Sequence, residues 1–418
     1  MTGAPLSTRS AWALVGLMWV AYFLNYTDRQ LVSSIFPVLR SELHFTDEQC
    51  GLTGSVFLWI YALCSPLAGV LGDRFSRRAL IVASLVLWSA VTALTGASGS
   101  AVALLACRGL MGVAESIFFP SAVTLTAEAH GPASRSRAVA FFSTGQLAGV
   151  VMGGWYGGFM ADRHHWREAF YSLGAFGALY ALPYYFFLKR VVVAGSTPAA
   201  SASTSPGSGR TVAALFRIPT YRLLCVVFPA FTFVLWLLYT WLSDFVYEKF
   251  SLSLGEAGLS STAYLQGATL VGLILGGFLA DRLQRRVKPA RFWIVAAGLL
   301  ICGPSVQFIG NSGSLRLTQV AMAGFGFGSG LAISNFFASC FEVVPSGARA
   351  TAVGILNLLG GFISGFASLL GGLLKKSVGI HVLTSGAALL CLAMGALLIL
   401  GTRRCFLEDF NRAQAEGS

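Results

Sequence analysis

Four ionisable residues stand where the surrounding sequence is apolar. Asp28 and Arg29 sit side by side in AWALVGLMWVAYFLNYTDRQLVSSIFPVL, and Arg108 and Glu115 lie seven apart in LLACRGLMGVAESIFFP. A charge at the centre of a membrane helix costs about 2.5–3.5 kcal/mol, so four cost on the order of 10 kcal/mol unless they face a polar interior. Seven helical residues turn through about 700°, some 20° short of two turns, and rise about 10.5 Å, so Arg108 and Glu115 share one face. Two carboxylates and two guanidiniums are jointly neutral. Arginine presents a rigid fork that grips a carboxylate or phosphate with two bonds and stays charged. A buried carboxyl can be tuned to change its proton when a nearby arginine is claimed by another anion. The set describes a carrier in which anion and proton compete for one local field, so that loading one alters affinity for the other.

The elements that must position these groups are written in the composition. Of 418 residues, 55% are hydrophobic and only 11% charged, with a mean hydropathy of +0.71. Soluble domains carry roughly 25% charged residues, so the chain is expected to be an integral membrane protein. Its 48 glycines fit helices packed backbone to backbone. The net charge of +12 does not mark a nucleic-acid partner, because the basic residues fall in short loops between apolar runs, as the positive-inside rule describes. The eight cysteines and five histidines show no metal-ligand spacing and no redox pair. No metal or other cofactor is expected, and no nucleophile–base pair points to an enzyme. The first apolar run lacks a clear cleavage site and holds the charges in question, so it reads as a span and not a signal peptide.

Apolar runs of about 20 residues, the length that crosses a bilayer, recur about twelve times, starting near residues 11, 48, 78, 101, 136, 167, 220, 257, 290, 314, 349 and 378. The runs are continuously apolar and do not alternate, which excludes a β-barrel. Lys and Arg crowd alternate loops, placing both termini in the cytoplasm of a multi-pass inner-membrane protein. The segment AGSTPAASASTSPGSG, residues 194 to 209, reads as a flexible linker. The expected fold is all-α, two pseudo-symmetric six-helix bundles at 1–191 and 218–404, with a cytoplasmic linker at 192–217 and a cytoplasmic tail at 405–418. The halves echo one another. GVLGDRFSRR begins at residue 69 and GFLADRLQRR follows 208 residues later, at 277, while PASRSRAVAFF after the fourth span parallels PSGARATAVG after the tenth. Such internal duplication is a transporter signature.

The repeated Gly-x-x-x-Asp-Arg-x-x-Arg-Arg, Gly69, Asp73, Arg74 and Arg77 in one copy and Gly277, Asp281, Arg282 and Arg285 in the other, resembles the gate motif of the major facilitator superfamily. The resemblance covers nearly all of the chain. It implies secondary transport by alternating access, with the motif acting as a cytoplasmic latch. Asn25-Tyr26-x-Asp28-Arg29, Arg108 with Glu115, and FVLWLLYTWLSDFV at 233–246 resemble the anion:cation symporter family, which carries galactonate, hexuronates and related anions. That resemblance implies proton coupling at Asp28 and Glu115. It implies a substrate site at Tyr26, Arg29, Tyr61, Arg108, Gln146, Ser334 and Asn357. Asp244 and the Phe336–Phe337 pair depart from the family pattern and favour a less hydroxylated organic acid.

The expected function is therefore proton-coupled symport of a small organic anion, a sugar acid or another carboxylate, by a monomer driven by the proton gradient. More distantly, NYTDRQ with the gate motif and RGLMGVAE is similar to Spinster-like lysolipid and sphingolipid carriers, the alternative of the same fold. A membrane anion sensor that does not transport is the alternative of another class. The two intact motifs and the short tail RRCFLEDFNRAQAEGS weigh against it.

Overall fold

The computed structural model describes residues 7–190 and 209–415, and every regular element among them is helical. The chain runs through α1 (Thr8–Ser34), α2 (Phe36–Glu42), α3 (Asp47–Arg74), α4 (Arg77–Gly96), α5 (Ala101–Ser116), α6 (Phe118–Glu128), α7 (Pro132–Ala161) and α8 (Trp166–Arg190). After the linker come α9 (Gly209–Leu215), α10 (Pro219–Phe250), α11 (Leu254–Gln284), α12 (Ala290–Asn311), α13 (Leu315–Val343), α14 (Arg349–Lys375) and α15 (Ile380–Ala415). α2 and α9 are short, and α5 with α6 make one pass interrupted at Ile117, so twelve passes remain among the described residues. Ten are long and apolar enough on their own to cross a membrane. The other two, α1 and α8, are diluted by polar residues that include Asp28, Arg29, Arg167 and Glu168. The protein is a multi-pass membrane protein of the all-helical class.

Local chemistry sets the helix ends. Thr46 and Gln49 form a capping box, with Thr46 Oγ1 accepting from the Gln49 amide (3.2 Å) and Gln49 Oε1 accepting from the Thr46 amide (3.0 Å). Each side chain satisfies a backbone donor that the first helical turn leaves open. Ser100 caps α5 in the simpler way, accepting from Ala103 N. Pro120 sits in the first turn of α6, where its missing N–H is tolerated, whereas inside an unbroken helix it would remove a bond from the ladder.

The chain forms two compact units, one holding α1–α8 with residues Ser243–Thr262 of α10 and α11, the other holding the rest of the second half. In the first unit, α7 presents a ladder of glycines to α1. A Cβ on Gly145 would lie 2.8 Å from the Trp19 carbonyl oxygen, and Cβ atoms on Gly149 and Gly153 would press still closer on the carbonyls of Phe23 and Thr27. Close approach of two backbones replaces the hydrophobic drive that helices lack in lipid. In the second unit, Gly298 of α12 and Gly328 of α13 approach one another in the same way.

The duplication reaches individual side chains. Arg135 Nε donates to the Ala127 carbonyl (3.0 Å), and Arg349 Nη2, 214 positions later, donates to the Phe341 carbonyl (2.9 Å). Beside these sit Glu128, paired with Arg77, and Glu342, again 214 positions on, paired with Arg291 at 2.9 Å. In the second gate motif Asp281 pairs with Arg291 (2.8 Å) at the first turn of α12, while Arg282 and Arg285 are exposed and Gly277 faces open space. In the first copy, the side chains at Gly69, Asp73 and Arg74 lie outside the described set. So do residues 192–208 of the expected linker, whose remaining stretch includes α9. Beyond residue 405 the chain continues as helix, because α15 runs to Ala415.

Candidate functional site

Asp28 and Arg29 project from α1 in different directions, as neighbours about 100° apart on a helix must. Arg29 reaches α5, where its Nε donates to Glu115 Oε2 at 2.6 Å. Asp28 reaches α4, where Thr92 Oγ1 lies 2.9 Å from its Oδ2. Arg108, two turns before Glu115 on α5, donates from Nε to the Thr53 carbonyl of α3 (3.3 Å). All four ionisable residues are buried, with exposures of 4% for Asp28, 9% for Arg29, 3% for Arg108 and zero for Glu115. Burial at this depth demands partners, because an unpaired charge in a medium of low dielectric is the costliest group a fold can hold.

Aromatic rings supply the rest of the enclosure. The Arg29 guanidinium carbon lies 4.5 Å from the centre of the Tyr26 ring, 4.8 Å from Phe57 and 4.9 Å from Tyr61. Arg108 lies 4.8 Å from the same Phe57 ring, so one ring serves two guanidiniums. Ring faces carry negative electrostatic potential, and a desolvated cation–π contact contributes about 2 kcal/mol. Tyr26 packs against Tyr22, with ring centres 5.1 Å apart, and the Tyr22 hydroxyl donates to Gln146 Oε1 of α7 (3.1 Å).

The network is not closed. Asp28 Oδ1, Glu115 Oε1 and Arg108 Nη1 are buried without a hydrogen-bond partner. Buried polar atoms almost always find partners, so three orphans inside one charged cluster mark a place where a proton or a polar ligand belongs. The arrangement can hold an anion between guanidinium forks and rings while exchanging a proton at a carboxylate.

Of the residues expected from the sequence, the structure brings Tyr26, Asp28, Arg29, Tyr61, Arg108 and Glu115 into this one cluster, with Gln146 joined through Tyr22. Ser334 and Asn357 belong to the other unit. Ser334 on α13 is partly buried, donating to the Leu331 carbonyl (3.0 Å) and accepting from Asn335 Nδ2 (2.9 Å), and Asn357 on α14 is exposed. Phe336 is fully buried against Phe228 (5.1 Å) and Phe231 (5.4 Å) of α10, so it belongs to the core of that unit. Asp244 is tied to Arg40 of α2, accepting from both terminal nitrogens. Burial alone would weaken the Arg40 proton affinity, but hydrogen bonding and charge from Asp244 outweigh it and hold the guanidinium above the usual arginine range. Sequence reasoning missed Phe57, Thr92 and Tyr22. Two of these had a signal, since Phe57 stands four residues before Tyr61 and Tyr22 four before Tyr26, which puts each pair on one helical face.

Comparison with known proteins decides the family. The Major Facilitator Superfamily model matches residues 18–368 and 245–406. The chain belongs to the major facilitator superfamily. It is 30% identical over 312 residues to the probable sulfoacetate transporter SauU of Cupriavidus necator, covering 72% of this chain and 70% of that one. It is 26% identical to the probable galactarate/D-glucarate transporter GudP of Bacillus subtilis, over 87% of this chain and 85% of GudP. Its fold matches the crystal structure of a bacterial homologue of the human lysosomal transporter Spinster, solved in an inward-facing and occupied conformation, with a TM-score of 0.78 over 97% of this chain and 99% of that one, at 21% identity. This superfamily member is a transporter and not an enzyme.

Proposed function

We propose that the protein is a proton-coupled symporter of a small organic anion with a carboxylate or sulfonate head. The observation that carries this reading is the Arg29–Glu115 pair, bonded at 2.6 Å in a ring-lined, buried cluster that leaves Arg108 Nη1 and Asp28 Oδ1 without partners. An anion that claims Arg29 and Arg108 strips Glu115 of its cation, and a carboxylate so released in a dry site takes up a proton. A guanidinium fork accepts two oxygens of a carboxylate or a sulfonate alike. The names of the relatives, a sulfoacetate carrier and a galactarate/D-glucarate carrier, support anions of this kind. In this reading Asp28 and Glu115 carry protons and Tyr26, Arg29, Tyr61, Arg108 and Gln146 line the anion site. The motif copies around Arg77 and Asp281 act as gates. Transport is driven by the proton gradient without a cofactor, in a monomer of the bacterial inner membrane with both termini in the cytoplasm.

The test is transport in proteoliposomes, with sulfoacetate, galactarate and glucarate as substrates and lysophospholipid as the competing cargo of a Spinster-like carrier. Glu115→Gln is expected to lose pH-gradient-driven anion uptake by about tenfold or more, in the range of ordinary coupling energies, while anion counterflow persists. Gradient-driven uptake at wild-type strength in that variant removes Glu115 from coupling. Movement of lysophospholipid in place of all the anions overturns the substrate class.

A further inference from the structure

Asp28 has one oxygen without a partner and one held by a single hydroxyl, and the second contact has an unusual property. Thr92 Oγ1 lies 2.9 Å from Asp28 Oδ2 and also 2.9 Å from the Trp88 carbonyl oxygen one turn back on α4. Thr92 is 1% exposed. A threonine hydroxyl has one hydrogen to give and two lone pairs with which to accept. It cannot donate to both oxygens at once.

We propose that Thr92 is the positioning residue of the proton-binding carboxylate, a hydroxyl that turns its hydrogen between Asp28 and the Trp88 carbonyl as Asp28 changes its proton. This rests on the proton-coupling reading of Asp28 given above. When Asp28 is ionised, Thr92 donates to Oδ2, and the Trp88 carbonyl keeps its ordinary helical partner, the Thr92 amide four residues on. When Asp28 gains a proton from water, the new O–H on Oδ2 donates to Thr92 Oγ1, and the threonine hydrogen turns to the spare lone pair of the Trp88 carbonyl. Both states satisfy every group on this side of the carboxyl. Neither leaves a buried donor or acceptor stranded, a loss that would otherwise bias the group to one state. Holding Oδ2 in this way also fixes the carboxyl plane, which leaves the partnerless Oδ1 as the atom presented to the rest of the site.

The charged groups acting on Asp28 are Glu115 and Arg108 of α5, while Arg29, its neighbour on α1, points to Glu115. α4 brings the uncharged Thr92, and α7 meets this stretch of α1 with glycines. The hydroxyl is thus the neutral element that can be changed without touching the charge balance.

The experiment is a pH titration of the carboxylic acid band by infrared difference spectroscopy, on full-length protein in lipid without substrate. Asp28→Asn identifies the Asp28 band. Thr92→Val keeps the shape and removes the hydroxyl, and Thr92→Ser restores it. Loss of a hydrogen bond to a charged acceptor corresponds to about one to two pH units. In Thr92→Val the Asp28 band is expected to persist to a pH higher by about that amount and to move to higher frequency, as for an unbonded acid, while Thr92→Ser titrates as wild type. If Thr92→Val does not fold, Thr92→Ala takes its place. An Asp28 band with the wild-type midpoint in Thr92→Val overturns the proposal and leaves proton coupling standing. A band that does not titrate at all overturns both.

Discussion

Phe57 shows how one uncharged residue shapes a charged site. Its ring lies 4.8 Å from the guanidiniums of both Arg29 and Arg108, two like charges that would otherwise repel across a medium of low dielectric. Phe57→Leu keeps the apolar bulk and removes the ring, so it loses two desolvated cation–π contacts of about 2 kcal/mol each. The expected result is a lower melting temperature of purified protein and weaker anion binding; a Phe57→Leu variant that melts and binds as wild type contradicts that role. The ionic residues themselves were legible in the sequence, because a charge in an apolar span is conspicuous. Their partners were not. Asp28 and Arg29 are neighbours in sequence and look like a natural pair, yet a helix points adjacent residues apart, so Arg29 meets Glu115 and Asp28 meets Thr92. Thr92 and Phe57 are ordinary residues of membrane helices, and only the fold shows what they touch.

At the scale of helices, the site depends on how tightly α7 holds α1. Gly153 sits where a Cβ would collide with the Thr27 carbonyl, one residue before Asp28, whereas Gly16, near the start of α1, has open space around it. Gly153→Val forces the backbones apart, and overpacking of this kind costs about 1–3 kcal/mol or more. Gly153→Val is expected to lower the melting temperature in detergent and to reduce transport, while Gly16→Ala is neutral in both. Equal behaviour of the two variants would dissociate the glycine ladder from the placement of Asp28 and Arg29. The passes were readable from long apolar runs alone, to within a few residues at most starts. The short α2 and the interruption at Ile117 were not, although Pro37 and Pro120 stand at those places. A proline in the first turn of a new helix and one in the interior of an old helix look alike until the backbone is seen.

Across the whole chain, ties between residues far apart in sequence complete the architecture. Arg40 of α2 and Asp244 of α10 are 204 positions apart, and the Asp244 side chain is wholly buried. Arg40 also bonds Asp47 (2.8 Å), and removing it takes a charge-assisted hydrogen-bond partner from a buried acid, a loss of about 1.5–3 kcal/mol. Arg40→Gln is therefore expected to destabilise the protein more than the double variant Arg40→Gln with Asp244→Asn, as read in a double-mutant cycle of unfolding midpoints; additive losses would show that the pair is not coupled. The sequence showed Asp244 as an additional acid at the end of a span, and its partner could come only from the folded chain. The duplication was legible in the gate motif, and the Arg135 and Arg349 bonds to equivalent carbonyls extend it to geometry. In the proposed function anion and proton share the Arg29–Glu115 pair. The most direct test is isothermal titration of the transported anion into purified protein in buffers of different ionisation enthalpy, which counts protons exchanged on binding. Net proton uptake on binding is expected in wild type and is lost in Glu115→Gln; binding with no proton exchange in wild type, or uptake unchanged in Glu115→Gln, rules out a shared pair.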